Sequence, residues 1–424
     1  MKGILKTSGI YIISTAVSGI TPILLIPILT SYLSPTEYGN LSMFTILSAA
    51  MTSVMGFGTV GAANRKYFDN KSDFEIIKSY NSACFTILLY SILMIIPVVV
   101  YIYNVGYVYL DIPPEWALYC FLIGIFTFVV NFRLGQWQIR GIAWKYACVQ
   151  VGQSLLVFII TFLLIKQGEY REEVRVYAGV ITSIIVGTIA IFLLAKERLL
   201  SCKANKEQIL EALSFGLPLL PHILGGLVIN TFDRYYIGLY LGKESLGYYS
   251  LGISIALIMS MFFHSINKAY SPWVFKKLSM DNQDSNVQVV KNCYQLFIFL
   301  IFISLMIYLL GPWVFKLIID DKFNQSIPIV IILMISQVFL GAYLVVTNIV
   351  FYSKRTKYIA ISTLTCGIVN VALLLILTPI FNLQGAAYSS LLSNMFLFIL
   401  TWYIAIKVHR LPWASRKVFE IETD

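Results

Sequence analysis

Ionisable side chains are scarce in this sequence: Asp, Glu, Lys and Arg together make up 12% of its 424 residues, and histidine occurs three times. Soluble domains carry about a quarter charged residues, so this chain has too few to cover a water-facing surface. The six cysteines form no CxxC pair, and Cys84, Cys148 and Cys366 fall inside apolar runs, so neither a disulfide nor a metal site is expected. No HExxH occurs. The nearest approach to a phosphate loop, Gly238 to Glu244, is one residue short and ends in Glu where Ser or Thr is required. The loops near 104–115, 166–174 and 316–326 are too short for the large catalytic loop of a membrane polysaccharide polymerase or ligase. These absences exclude the obvious enzyme classes, and no cofactor is expected.

What the chain does have is apolar length. With 58% hydrophobic residues and a mean hydropathy of +0.79, it supplies enough for about twelve spans of ~20 residues, leaving no room for a soluble domain. The expected spans are 8–33, 41–63, 80–103, 116–139, 147–165, 175–195, 213–241, 246–268, 292–315, 327–350, 358–379 and 384–406. Backbone polar groups in lipid must be satisfied within the segment, which predicts an all-α polytopic membrane protein of about twelve transmembrane helices. The first span is too long for a cleavable signal and is expected to remain as an anchor.

Lys and Arg in short loops are sorted to the cytoplasmic side. With the N-terminus inside, the inner segments hold 23 of the 31 basic residues and the outer ones six, Lys166, Arg171, Arg175, Lys243, Lys316 and Lys322. Both termini are therefore expected in the cytoplasm. The net charge of +10 then reflects a basic row facing anionic membrane lipids, and nucleic acid is not an expected partner. The remaining two cations, Arg133 and Arg234, fall inside spans.

The two halves resemble each other. Laying 29–42 (LTSYLSPTEYGNLS) over 237–250 (IGLYLGKESLGYYS) matches Tyr32 with Tyr240, Leu33 with Leu241, Gly39 with Gly247 and Ser42 with Ser250. Each half holds an even number of spans, so the copies are expected to run parallel, as six-helix bundles at 1–200 and 201–424. Prolines occupy the first span of each half, Pro22 and Pro27 in one, Pro218 and Pro221 in the other. Paired helix breaks of this kind mark transporter binding sites, although proline also merely kinks membrane helices.

Three segments carry a family resemblance: the opening helix running into TSYLSPTEYGNLS, the FGTVGAANRKYF stretch around Arg65, and INTFDRYYIGLYLGKESLGYYS. Over its whole length the chain resembles the Wzx-type polysaccharide exporters, flippases of lipid-linked oligosaccharides in the multidrug/oligosaccharidyl-lipid/polysaccharide (MOP) superfamily. That resemblance implies a MATE-like fold of two six-helix bundles around a V-shaped cavity in a bacterial inner membrane. It further implies alternating-access export of an undecaprenyl-pyrophosphate-linked O-antigen or capsule repeat unit, with a polysaccharide polymerase and a chain-length regulator as partners. Within the superfamily the competing readings are a cation-coupled multidrug antiporter and a lipid II flippase. Antiporters commonly bind their cation at an acidic residue of the first bundle, and the span from Ser8 to Leu33 has no Asp or Glu. Lipid II flippases typically have two further C-terminal spans.

Charges within a bilayer cost ~2.5 to 3.5 kcal/mol each and so mark candidate sites. Arg133 either lines a cavity or snorkels to the inner surface. Asp233 and Arg234 either serve a site or hold each other and backbone carbonyls in place. Arg65 opens the first inner loop and is placed by the resemblance where a cation meets a diphosphate; ordinary inner-face placement explains it equally. His264, Asn267 and Lys268 share a helix face. Lys268 joins the expected substrate-binding cations Arg65, Arg133 and Arg234, while Asp233, His222 and His264 are the candidates for ion coupling.

Overall fold

The computed structural model describes residues 2–69, 73–110, 112–168, 172–201, 205–280 and 282–414. Among the basic residues counted above, Lys71, Arg171, Lys203, Arg416 and Lys417 lie outside the described residues. Every regular element among them is helical: α1 (Lys2–Tyr32), α2 (Pro35–Val54), α3 (Thr59–Asp69), α4 (Phe74–Leu110), α5 (Glu115–Ile139), α6 (Ala143–Gln167) and α7 (Glu173–Lys196). They are followed by α8 (Lys206–Gly216), α9 (Leu220–Tyr240), α10 (Gly242–Leu278), α11 (Gln283–Ile318), α12 (Ile327–Tyr352) and α13 (Thr356–Val408).

Eleven continuous helical segments among the described residues are long and apolar enough to cross a membrane. The last counts twice. Asn382 sits at φ 52°, ψ −134° inside α13, and Cys366 Sγ donates to the Ser393 carbonyl at 3.2 Å, so 356–381 and 383–408 lie antiparallel. A Cβ on Gly385 would come within 2.1 Å of the Leu377 carbonyl oxygen, so the hairpin closes only with glycine there. Twelve transmembrane segments result, in a multi-pass all-α membrane protein. Polar residues start the helices where the chain must turn: Ser34 caps α2 through a capping box with Glu37, Asn205 caps α8 and Asn282 caps α11.

The proline expectation needs correction. Pro22 and Pro27 lie within α1, which runs unbroken from Lys2 to Tyr32. Each proline removes one backbone hydrogen bond, a loss that a membrane helix tolerates without ending. In the second half the chain does leave α-helical geometry beside Pro218, through the 3-10 turn Leu217–Leu219, while Pro221 stands in the first turn of α9. The first half is interrupted elsewhere, in its second span, where Met55–Gly58 forms a 3-10 turn between α2 and α3.

By packing, the chain divides into two compact units, Met1–Leu239 and Tyr240–Asp424. In the first, α8 packs on α3 and α4, and α5 packs on α2 and α7; Trp116, Trp137 and Phe132 are among its most buried side chains. In the second, α12 is central, packed by α10, α11 and α13. Val289, Val346, Ile349 and Val350 are fully buried there, with Phe297, Phe398, Trp402 and Trp413 packed against them. The matched repeat segments occupy the same kind of place, a helix end, a tight turn and the start of the next helix. Gly39 and Ser42 are buried in one copy, Gly247 and Ser250 in the other.

Candidate functional site

The interruption of the second span decides where Arg65 goes. Gly56, Phe57 and Gly58 all have positive φ, 63°, 49° and 74°, and for Phe57 that conformation costs about 1–2 kcal/mol. Neighbours hold it in place. The Gly56 N–H donates to Ser91 Oγ at 3.0 Å and Thr59 Oγ1 donates to the Gly56 carbonyl at 2.6 Å. A Cβ on Gly56 would fall 2.0 Å from the Phe128 ring, and one on Gly216 would fall 2.1 Å from the Phe57 carbonyl oxygen. The end of α8 therefore presses directly on the break, and α3 departs from it beside α8.

Between them lies a pocket of about 320 Å³ lined by Ala62, Arg65, Lys66, Asp69, Tyr80, Glu211, Ser214 and Phe215. Lys66 Nζ donates to both Glu211 carboxylate oxygens, at 2.7 and 2.8 Å, and lies 5.1 Å from the centre of the Tyr80 ring. Arg65 is held less firmly. Its Nε stands 3.9 Å from Asp69, with the side chains 68% and 56% exposed, and its guanidinium carbon lies 5.7 Å from the centre of the Phe215 ring. The two cations and two carboxylates cancel, so an incoming anion has to take Arg65 from Asp69. A solvated pair of that length is worth at most ~1 kcal/mol, whereas a hydrogen bond to a charged group is worth about 1.5–3 kcal/mol. Arg65 is thus exchangeable, and Lys66 is fixed.

Arg133 stands in the opposite condition. Its side chain is 0% exposed, with Nη2 2.6 Å from Glu197 Oε1 and its guanidinium carbon 4.2 Å from the centre of the Trp137 ring. Lys145 Nζ reaches the same Glu197 oxygen at 3.0 Å, so one carboxylate at the end of α7 ties α5 and the start of α6. Burial opposes ionisation of Glu197, but the ion pairs with Arg133 and Lys145 prevail and hold its pKa below the usual glutamate value. Arg133 is therefore neither a snorkelled anchor nor paired with Asp233. Its partner lies 64 residues away in sequence, beyond any local pattern. Arg133 Nε, Nη1 and Nη2, Gln136 Nε2, Trp137 Nε1 and Arg140 Nε make no hydrogen bond among the described residues, so Arg133 is held by the Glu197 charge and the Trp137 ring alone.

The other expected site residues do not gather with Arg65. The pocket lining includes neither Arg133 nor Arg234. The Arg234 backbone N–H donates to Asp233 Oδ1 at 2.8 Å, and Arg234 Nη2 donates back to the Asn230 carbonyl at 2.7 Å, so the guanidinium is turned along α9. His222 on α9 and His264 and Lys268 on α10 are exposed. Asn267, beside them, accepts from Asn348 of α12 at 2.7 Å. The sequence reading missed Glu211 and Phe215, which complete the Arg65 pocket, and Glu197. The signal it passed over was the run Gly56-Phe57-Gly58 inside an apolar span, since two glycines so close mark a place where the helix can stop.

Comparison with known proteins agrees over nearly the whole chain. A putative protein of the Lsg locus of Haemophilus influenzae is 25% identical over 415 residues, spanning 96% of this chain and 99% of that protein. Among solved structures, an inward-facing MATE multidrug resistance transporter of the MOP superfamily superposes with a TM-score of 0.71 at 14% identity, covering 92% of this chain and 94% of that one. The lipid II flippase MurJ in an inward closed conformation gives 0.70 at 17% identity, covering 94% and 87%. The fold is thus that of transporters and flippases rather than of enzymes. The MatE family model matches residues 218–376. The model for "Polysaccharide biosynthesis protein" matches residues 4–279, well over half of the chain, and the protein belongs to that family of membrane-embedded polysaccharide exporters.

Proposed function

We propose that this protein is a flippase that moves an undecaprenyl-pyrophosphate-linked oligosaccharide, an O-antigen or capsule repeat unit, from the cytoplasmic to the periplasmic leaflet of a bacterial inner membrane. Both termini and the Arg65 pocket face the cytoplasm, and access alternates. The observation that carries the reading is Arg65: an exposed guanidinium, loosely held by Asp69 in a pocket of about 320 Å³, suited to receive a diphosphate oxygen. His264 and Lys268 on α10 and Asp233 and Arg234 on α9 sit within spans. Ionisable groups there avoid lipid, so they serve the aqueous path of the same cargo or its coupling ion. A polymerase and a chain-length regulator receive the product.

The test is export of lipid-linked oligosaccharide in cells lacking the native exporter. Arg65→Ala lowers surface polysaccharide about tenfold or more while membrane abundance stays normal, and Arg65→Lys, which keeps the charge but loses the bidentate fork, retains more of it. Normal export by Arg65→Ala refutes this cargo site. A cation-coupled drug antiporter is the second reading, favoured by the MatE match over 218–376. It predicts drug efflux that follows a proton or sodium gradient and is lost in Asp233→Asn, with no defect in surface polysaccharide.

A further inference from the structure

We propose that the open end of the α13 hairpin is a binding site for the glycerol-phosphate headgroup of an anionic phospholipid, a site separate from the cargo path. Arg355, Tyr358, Tyr403, Ile404, Lys407 and Val408 line a pocket of about 380 Å³ there. Arg355 is the residue before α13 and Lys407 the last but one within it, so the pocket lies where the helices leave the hydrocarbon. Headgroups lie at that depth.

Its chemistry is one-sided. Lys407 Nζ lies 5.3 Å from the centre of the Tyr403 ring. Neither Lys407 nor Arg355 forms an ion pair with any described residue, and their own part of the chain offers none: from Lys322 to Phe419 there is no Asp or Glu. The Arg65 pocket, in contrast, balances two cations with two carboxylates. Two unbalanced cations in one concavity call for an anion. Ile404 and Val408 give the pocket an apolar wall, and Tyr358 and Tyr403, both exposed, have the amphipathic rings that settle at the headgroup level. A soluble anion has no use for that wall, and a lipid does. The size agrees, because 380 Å³ holds about a dozen waters at ~30 Å³ each, well beyond the five heavy atoms of a phosphate.

Purified protein is titrated with phosphatidylglycerol, phosphatidylethanolamine and free glycerol phosphate, and the bound species are counted by native mass spectrometry. Phosphatidylglycerol is expected to be retained over phosphatidylethanolamine. A juxtamembrane cation contributes about fivefold in affinity, so Arg355→Gln with Lys407→Gln is expected to weaken retention about 25-fold. Lys276→Gln, which removes a basic residue of α10 outside the pocket, leaves it unchanged. Equal retention of the two lipids by the wild-type protein overturns the proposal, and that arm stands even where the double variant does not fold. Undiminished retention by a folded double variant overturns it as well. Free glycerol phosphate bound as tightly as the lipid assigns the pocket to a soluble anion instead. Oligosaccharide export by Arg65→Ala bears only on the cargo site, so failure of one reading is distinguishable from failure of the other.

Discussion

Arg133 and Arg65 are the same residue type in the same compact unit, and the structure puts them to opposite uses. Arg133 is sealed against Glu197 and Trp137, while Arg65 lies open over Phe215 with its carboxylate partner at arm's length. A buried cation is already committed, because removing its counter-ion leaves a bare charge out of water. An exposed and weakly paired cation costs little to redirect. Burial and pairing, rather than presence in a span, separate an arginine that holds helices from one that can meet cargo.

The sharpest way to break this comparison is to strip Arg133 of its counter-ion. Losing the partner of a fully buried charge costs about 3–5 kcal/mol, so Glu197→Ala is expected to deplete the protein from the membrane. Replacing both Arg133 and Glu197 with Met and Leu removes the stranded charge and restores most of the abundance, as read by immunoblot and by melting in detergent. Full abundance with lost export in Arg133→Ala would return this residue to the cargo path.

Arg65 gives the complementary result. Loss of one hydrogen bond to a charged group, about 1.5–3 kcal/mol, translates to a roughly ten- to hundredfold fall in the rate of transport into proteoliposomes at unchanged melting temperature. Because the cargo is anionic, an inside-negative potential in the export direction, worth about 2.3 kcal/mol per charge per 100 mV, accelerates the wild-type protein. Indifference to potential combined with dependence on a proton gradient would move the argument to Asp233 or the histidines.

A third substitution joins the two regions. Gly216 abuts the Phe57 carbonyl, where a Cβ would lie 2.1 Å away, so Gly216→Ala forces α8 off the break. Overpacking of this kind costs about 1–3 kcal/mol. The pocket walls on α3 and α8 move apart with it, so export falls further than stability alone accounts for. Gly61→Ala, whose Cβ would meet only the Phe215 ring at 3.4 Å, serves as the tolerated control.

Much of this architecture was legible beforehand. Apolar length located all twelve segments, including the gap between 379 and 384 in which Asn382 makes its turn, because lipid leaves the backbone no alternative to helix. The helices themselves run longer than the apolar spans, as α4 does from Phe74 to Leu110, since helical hydrogen bonding continues past the hydrocarbon edge. The break at Gly56–Gly58 was hidden because its residues are as apolar as their neighbours, and hydropathy does not register φ. Proline drew the eye in α1, where the helix absorbs it. The Arg133–Glu197 pair was out of reach for a different reason: it joins α5 to the end of α7, and only the packing of those helices brings the charges together.

The smallest expected effect is on pH dependence, and it tests whether the Arg133 clasp is held by charge. The pKa of Glu197 is depressed by Arg133 and Lys145, and a group depressed in the folded state contributes stability above its unfolded value, near 4.3 for glutamate. That contribution is complete at neutral pH and is lost as the pH falls below about 4 and through the folded value. The melting temperature of the wild-type protein in detergent should therefore decline over this acid range more steeply than that of Glu197→Gln, which has no proton to take up. Below it the two should converge, because protonated Glu197 and Gln offer Arg133 the same neutral acceptor. Parallel acid profiles would mean that the clasp rests on the Arg133–Trp137 contact and on packing, with the carboxylate's charge contributing nothing measurable.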